Sequence, residues 1–309
     1  MNNCLIFTGN SNKPLAEKIC KFLEKPLGQI EVSRFNDGEI SVKIEENVRG
    51  KDVFIIQPTC SPVNENIMEL LVMLDAFRRA SPQRITAVVP YYGYARQDRK
   101  ERPRVPITAK LIANLLVAAG AQRILTMDLH APQIQGFFDI PVDHLFAAPV
   151  IINYLKSKSM KNPVIAAPDV GSVKMARAFA KRINSRLVIV DKRRDGPDSV
   201  EATHLIGEVD GCEVIIVDDL ISTGSTVIEA TRVLLENGAS RVLVSCTHPV
   251  LSGHAVPKLT ESDISEIIIT DTIPHPQLPE KFIVLSVAEL LGEAIRRIHE
   301  ETSVSSLFI

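Results

Sequence analysis

Five cysteines (Cys4, Cys20, Cys60, Cys212 and Cys246) are scattered along the chain with no Cys-x-x-Cys pair, which argues against both a disulfide framework and a zinc site. A reducing compartment is the simple expectation. No apolar run approaches the roughly 20 residues that a membrane helix needs, and the N-terminus lacks a basic segment followed by an apolar core. A cytoplasmic protein without a membrane partner is therefore expected. Excess charge is missing too: 35 basic and 37 acidic residues nearly cancel. No global field points to nucleic acid, so any anionic substrate must be met by local clusters. What the chain does have is apolar material. At 309 residues and 45% hydrophobic, it can bury an ample core, and its length suggests two domains.

Strand-like and helical stretches alternate. Residues 4–8, 53–57, 85–89 and 124–127 read as strands, with helices after Asn10-Ser11 and over 67–79 and 107–119. Segments 30–35 and 39–44 read as a hairpin around Asn36-Asp37-Gly38. A second cycle begins near Ala147, with strands expected at 164–166, 187–190, 214–217, 242–246, 266–270 and 282–285 and a final helix over 287–300. This alternation predicts an α/β fold built on mainly parallel sheets flanked by helices. The halves also match in detail. Leu116-x-x-x-Gly120-Ala121-x-Arg123-x-Leu125 recurs 118 residues later as Leu234-x-x-x-Gly238-Ala239-x-Arg241-x-Leu243, and His130 matches His248 at the same offset. Duplication is the reading preferred over two unrelated helix–Gly–strand units. The domains are expected at 1–145 and 146–289, with the apolar tail within 290–309 packing back on the first.

The chemistry is anchored at Val-Ile-Ile-Val-Asp-Asp-Leu-Ile-Ser-Thr-Gly-Ser-Thr, residues 214–226. A buried strand is expected to deliver Asp218 and Asp219 at its end, while Ser222, Thr223, Gly224, Ser225 and Thr226 open a helix. Carboxylates accept hydrogen bonds from a sugar diol, and a small hydroxyl-rich loop at a helix N-terminus can wrap a phosphate. The lysine of a Walker loop is absent, so that reading fails. An ordinary Ser/Thr-capped turn is the plain alternative.

Other polar groups fall at predicted strand ends. Tyr91-Tyr92-Gly93-Tyr94-Ala95-Arg96-Gln97-Asp98-Arg99-Lys100 is either a solvated loop or a polyphosphate clamp. Asp128 and His130 share one side of an extended segment, and such a pair either holds a divalent metal or is simply hydrogen-bonded in the core. Asp169 is either a site acid or a helix cap. Lys192 and Arg194, ahead of Gly196-Pro197, project to one side and can reach charge developing on a transferred phosphoryl group. Phe35, Asp37 and Glu39 have a base-stacking and amine-accepting character, but they also have ordinary hairpin chemistry.

Taken together and in this order, Arg34-Phe35-x-Asp37-Gly38-Glu39, Tyr94-Ala95-Arg96-Gln97-Asp98-Arg99-Lys100, Met127-Asp128-Leu129-His130-Ala131-Pro132-Gln133-Ile134-Gln135-Gly136-Phe137-Phe138, Asp191-Lys192-Arg193-Arg194 and the Asp218-Asp219 turn resemble the ribose-phosphate diphosphokinase family. The resemblance covers essentially the whole chain. It implies two tandem phosphoribosyltransferase-like domains and transfer of the β,γ-diphosphoryl group of Mg-ATP to the 1-hydroxyl of ribose 5-phosphate, releasing AMP. It also implies roles. Asp218 and Asp219 would hold the ribose hydroxyls, and Ser222, Thr223, Gly224, Ser225 and Thr226 the 5-phosphate. Arg96 and Gln97 would bind ATP, with Phe35, Asp37, Gly38 and Glu39 receiving adenine from a neighbouring subunit. His130, Asp169 and Asp128 would meet the Mg2+-bound substrates. Lys192 and Arg194 would stabilise the transferred group, Arg194 also serving the ribose phosphate. A hexamer regulated by phosphate and ADP is implied as well, through Arg49, Ser81, Arg104, Ser303, Ser305 and Phe308. Many relatives carry a third acid where this chain has Ser222. The rivals are a phosphoribosyltransferase, which would not need Arg96, Asp128/His130 or Lys192/Arg194, and a catalytically silent regulatory homologue.

Overall fold

The structure, a computed structural model, describes residue 1, residues 3–193 and residues 202–308. Two compact units emerge: Met1–Phe146 with Thr272–Pro274 and Ser286–Ile309, and Ala147–Asp271 with His275–Leu285. The first opens with β1 (Cys4–Thr8), α1 (Lys13–Phe22), β2 (Ile30–Arg34), β3 (Ile40–Ile44) and β4 (Asp52–Ile56). It continues through α2 (Val63–Arg79), β5 (Arg84–Val89), α3 (Thr108–Ala119), β6 (Arg123–Met127) and β7 (Val142–Leu145). Local chemistry explains the helix starts. In α1, Asn12 caps by accepting from the Leu15 N–H at 3.2 Å, Pro14 sits in the first turn, and Leu15, Ala16, Ile19 and Cys20 form one buried stripe.

The second unit holds α4 (Ala148–Ser157), β8 (Pro163–Ala167), α5 (Val173–Ile183), β9 (Arg186–Arg193), β10 (Ala202–Ile206) and β11 (Glu213–Ile221). It ends with α6 (Ser225–Glu236), β12 (Arg241–Pro249), α7 (Ala255–Glu261), β13 (Glu266–Thr270) and β14 (Phe282–Leu285). Helix α8 (Ala288–His299) belongs to the first unit. There Asp52, almost fully buried, takes Arg84 on both oxygens (2.9 and 2.5 Å) and His299 Nδ1 at 2.9 Å, while Arg84 also donates to the Ile298 carbonyl. The last helix is thus tied to the base of the first sheet.

Both units use one plan. The first sheet runs β1-β4-β5-β6-β7, all neighbours parallel, and the β2–β3 hairpin stands apart. The second runs β10-β9-β8-β11-β12-β13-β14, parallel except for β10. Without the β9 and β10 flank, five strands remain in the same chain order, so β4 corresponds to β11, β5 to β12 and β6 to β13. This corrects the register inferred from the repeated Gly-Ala-x-Arg motif, which equates β6 with β12. A helix closed by glycine and followed by a strand can arise in any crossover of a parallel sheet, as it does after α3 and α6, so the motif marks a βαβ unit and not the domain. His130 and His248 are therefore not counterparts: His130 follows β6, whereas His248 lies within β12.

Central strands are apolar on both faces, as in sheets covered by helices on each side. β11 is buried from Val214 to Val217, and β4 along its whole length. All five cysteines are free, buried thiols, and burial pushes Cys20 and Cys60 up to about 11. No helix among the described residues is long and apolar enough to cross a membrane.

Candidate active site

The second unit concentrates three carboxylates at the exit of its central strands. β11 does not end before Asp218, as the sequence suggested. It pairs with β12 as far as Ile221↔Pro249, whereas its pairing with β8 stops at Ile216↔Ala166. Asp218 and Asp219 thus stand on a strand supported on one side and open on the other. The loop after β8 fills part of that opening. Ser172 Oγ lies 2.8 Å from Asp218 Oδ1 and 3.1 Å from Asp169 Oδ1, and the Ser172 N–H donates to Asp169 Oδ1 at 2.9 Å. The hydroxyl has one proton to share between two carboxylates. Asp169 is therefore not the cap residue of α5, a position taken by Ser172. Its side chain holds the loop that leads there.

This arrangement crowds three carboxyl groups together. Burial first, then the neighbouring Asp219 and Asp169, push the Asp218 carboxyl up to about 8, against the pull of the Ser172 hydrogen bond. A perturbed carboxyl at a strand end is the pattern of a ligand site.

Five residues beyond Asp219, Gly224 adopts φ +79°, and a Cβ there would meet the Leu259 side chain at 3.0 Å. Both constraints favour glycine where the chain turns sharply into α6. No side chain caps α6, so the N–H groups of its first turn remain available to an anion. Thr223, Ser225 and Thr226 surround that end with hydroxyls. Behind the loop, Ser222 Oγ pairs with Ser252 Oγ at 3.0 Å, and the Ser252 N–H donates to the Ser222 carbonyl.

In the first unit, Arg96 and Gln97 are exposed on the loop after β5. Two tyrosines anchor that loop: the buried Tyr92 donates to the Ala109 carbonyl at 2.9 Å, and Tyr94 donates to Asn64 at 2.6 Å. Gln133 donates to Asp98 at 2.7 Å, joining the same loop to the 3-10 turn Pro132–Phe137. That turn follows Asp128 and His130. Asp128 is 4% exposed and His130 is exposed, so the two do not present equally to solvent. In the hairpin, Phe35 is 58% exposed, while Asp37 accepts from the Glu39 N–H at 3.1 Å. Arg34 reaches Glu65 of α2 at 2.6 Å, fastening the hairpin to the unit.

Lys192 belongs to β9 and pairs with Thr203 of β10, so the segment expected as a loop is strand at this position. Arg194 lies outside the described residues. Of the expected regulatory residues, Arg49 and Ser81 are brought close, since the Gly50 N–H donates to the Ser81 carbonyl at 3.1 Å. Ser303 is held by Arg297, which donates to its carbonyl at 3.1 Å, and Ser305 to Phe308 form a 3-10 turn. Arg104 is exposed in a left-handed backbone conformation. Sequence reasoning missed Ser172 altogether, although its place three residues after Asp169 is a turn signature.

Comparison with known proteins decides the family. Residues 4–120 match the model for the N-terminal domain of ribose phosphate pyrophosphokinase, and residues 197–309 match the phosphoribosyl synthetase-associated domain. A ribose-phosphate pyrophosphokinase from Campylobacter jejuni is 52% identical over 309 residues, covering 100% of both chains. The chain belongs to the ribose-phosphate pyrophosphokinase family. Its relative from Bacillus cereus is 53% identical over 99% of this chain and 98% of its own. The crystal structure of phosphoribosylpyrophosphate synthetase from Mycobacterium smegmatis superimposes with a TM-score of 0.92 at 39% identity, covering 97% of this chain and 99% of that one. As a member of the pyrophosphokinase family, the chain is an enzyme with two phosphoribosyltransferase-like domains. The family assignment disfavours the phosphoribosyltransferase rival.

Proposed function

We propose that the enzyme transfers the β,γ-diphosphoryl group of ATP to the 1-hydroxyl of ribose 5-phosphate. The sugar O1–Pβ bond forms as the Pα–O–Pβ link breaks, AMP leaves with the bridging oxygen, and the 1-hydroxyl gives up its proton. The observation that supports this reading is the crowding of the Asp218, Asp219 and Asp169 carboxyl groups near the uncapped start of α6. One end accepts hydrogen bonds from hydroxyls and the other binds an anion. A sugar phosphate has both.

In this reading Asp218 and Asp219 take the ribose hydroxyls. Ser222, Thr223, Gly224, Ser225 and Thr226 take the 5-phosphate, with Arg194 assisting. Arg96 and Gln97 bind the triphosphate, and Phe35, Asp37, Gly38 and Glu39 form an adenine pocket for a neighbouring subunit in a homo-oligomer, a hexamer by family resemblance. Lys192 and Arg194 act on the phosphoryl oxygens, where cations lower the barrier without covalent participation. Asp128, His130 and Asp169 would each meet Mg2+-bound substrate. No group of three such side chains among the described residues could hold the ion by itself. This suits Mg2+, since it keeps several waters and substrate phosphates and needs only one or two protein carboxylates. When bound, it neutralises phosphate charge. Residues 1–145 with the tail 290–309 serve ATP, and residues 146–289 serve ribose 5-phosphate. Phosphate and ADP act as effectors through Arg49, Ser81, Arg104, Ser303, Ser305 and Phe308, and the enzyme works in the cytoplasm.

The test is AMP formation by purified protein given Mg-ATP and ribose 5-phosphate. Wild type is expected to release AMP only when the sugar phosphate is present, and Lys192→Ala to lower kcat by roughly 10³-fold. Absence of AMP over a range of phosphate and magnesium concentrations would overturn the reaction. Full activity of Lys192→Ala would overturn only the role given to Lys192.

A further inference from the structure

The chain leaves β6 through an unusual turn. β6 and β7 pair from Ile124↔Val142 to Met127↔Leu145, and the next N–H, that of Asp128, still donates to the Leu145 carbonyl at 2.9 Å. Asp128 then adopts φ +37°, a conformation few residues other than glycine take up. This swings the Leu129 N–H away from the ladder. Its acceptor is a side chain: His144 Nε2 lies 2.8 Å away. Because Nε2 accepts, the ring carries its proton on Nδ1. The imidazole is only 5% exposed, and its ring centroid lies 4.7 Å from that of Phe146, so it is held firmly in place. Leu129 itself is buried, while His130, the next residue, is exposed.

We propose that His144 is a positioning residue for the Asp128-Leu129-His130 turn. Its Nε2 lone pair replaces the missing strand partner, holds Asp128 in its left-handed conformation and so fixes where the Asp128 and His130 side chains emerge. The proposal rests on the reading that those two residues meet the metal–nucleotide substrate. Without an acceptor at this point the Leu129 N–H is left buried and unpaired, and a backbone free to relax toward ordinary dihedrals carries both side chains with it. Displacements on the scale of 1 Å are enough to slow a reaction that depends on positioning.

Four proteins test this: wild type, His144→Leu, His144→Gln and His144→Asn. Gln places Oε1 near the position of Nε2, Asn stops one bond short, and Leu has no acceptor. The first readout is amide exchange of Leu129, which does not depend on activity. It is expected to be slow in wild type and Gln and at least roughly tenfold faster in Leu and Asn. The second is AMP formation. His144→Leu should lower kcat by roughly 10²-fold while leaving KM for ribose 5-phosphate within about twofold, and Gln should restore most of the rate. A merely structural histidine would lower the melting temperature without this split between Gln and Asn. Equal kcat in wild type and Leu, or Gln as impaired as Leu, overturns the proposal. Should Leu fail to fold, Gln against Asn decides. If wild type makes no AMP, the function fails, and the exchange contrast alone then upholds or rejects the role of His144.

Discussion

The ends of β4 and β11 occupy the same place in their two sheets, yet they have opposite polar economies. In the first domain, Ser11 Oγ donates to Gln57 Oε1 at 2.7 Å, just as Ser172 approaches Asp218 at 2.8 Å in the second. Beyond that, they diverge. Gln57 is fully buried and donates to Glu69 Oε1 at 2.8 Å; the Asn10 N–H and Nδ2 add two more donors to the same carboxyl, at 2.6 and 3.0 Å. One acid receives three donors, and the cluster closes on itself. Gly9 belongs to it, since a Cβ there would stand 2.4 Å from Gln57 Oε1. In the second domain two acids, Asp218 and Asp169, share the one Ser172 hydroxyl, and Asp219 stands next to Asp218 in sequence. The same architecture therefore closes a polar cluster on itself at one strand end and crowds carboxyl groups at the other, where the proposed function seats the sugar phosphate.

Substitutions that treat the two ends alike should separate them. The largest effect is expected from Asp219→Asn, which should lower kcat/KM for ribose 5-phosphate by roughly 10²- to 10³-fold in steady-state assays, with little change in melting temperature. Glu69→Gln should do the reverse. Turning an amide toward three donors costs about 1–3 kcal/mol, seen as a fall of roughly 2–10 °C in melting temperature, while KM for ribose 5-phosphate is unchanged.

A smaller effect comes from pH. The Asp218 carboxyl has a folded value near 8 against an ordinary 3.8, so between these values the folded state keeps a proton that the unfolded state has lost. Stability without magnesium should therefore fall as pH rises from about 4 to about 8. Chemical denaturation of wild type should show this component and Asp218→Asn should lack it. Equal slopes would sink the assignment. Least of all, Ser222→Asp is expected to change kcat by about threefold or less, because its hydroxyl turns toward Ser252.

Much of this was legible in the sequence. Apolar runs such as 214–217, broken by Gly- and Ser-rich turns, announce buried parallel strands, and the Asp-Asp turn and the hairpin around Asn36-Asp37-Gly38 carry their own local signatures. What escaped depends on distance along the chain. β7 is only four residues long, and β10 lies at a sheet edge with His204 exposed; neither leaves a strong periodic trace. β11 continues through Asp218 and Asp219 because β12 supplies partners that acidic residues, poor strand formers, do not advertise. The bonds of Ser172 to Asp218, Gln57 to Glu69 and His144 to Leu129 span 46, 12 and 15 positions, beyond any local pattern. The repeated Gly-Ala-x-Arg motif misled for the converse reason: it is local, and local chemistry recurs wherever the same crossover does.

Calorimetric titration of ribose 5-phosphate into wild type, Asp219→Asn and Glu69→Gln tests the difference between the two strand ends most directly. Binding to wild type and Glu69→Gln, with loss in Asp219→Asn, is the predicted result. Undiminished binding to a folded Asp219→Asn protein, or loss in a folded Glu69→Gln protein, would contradict it.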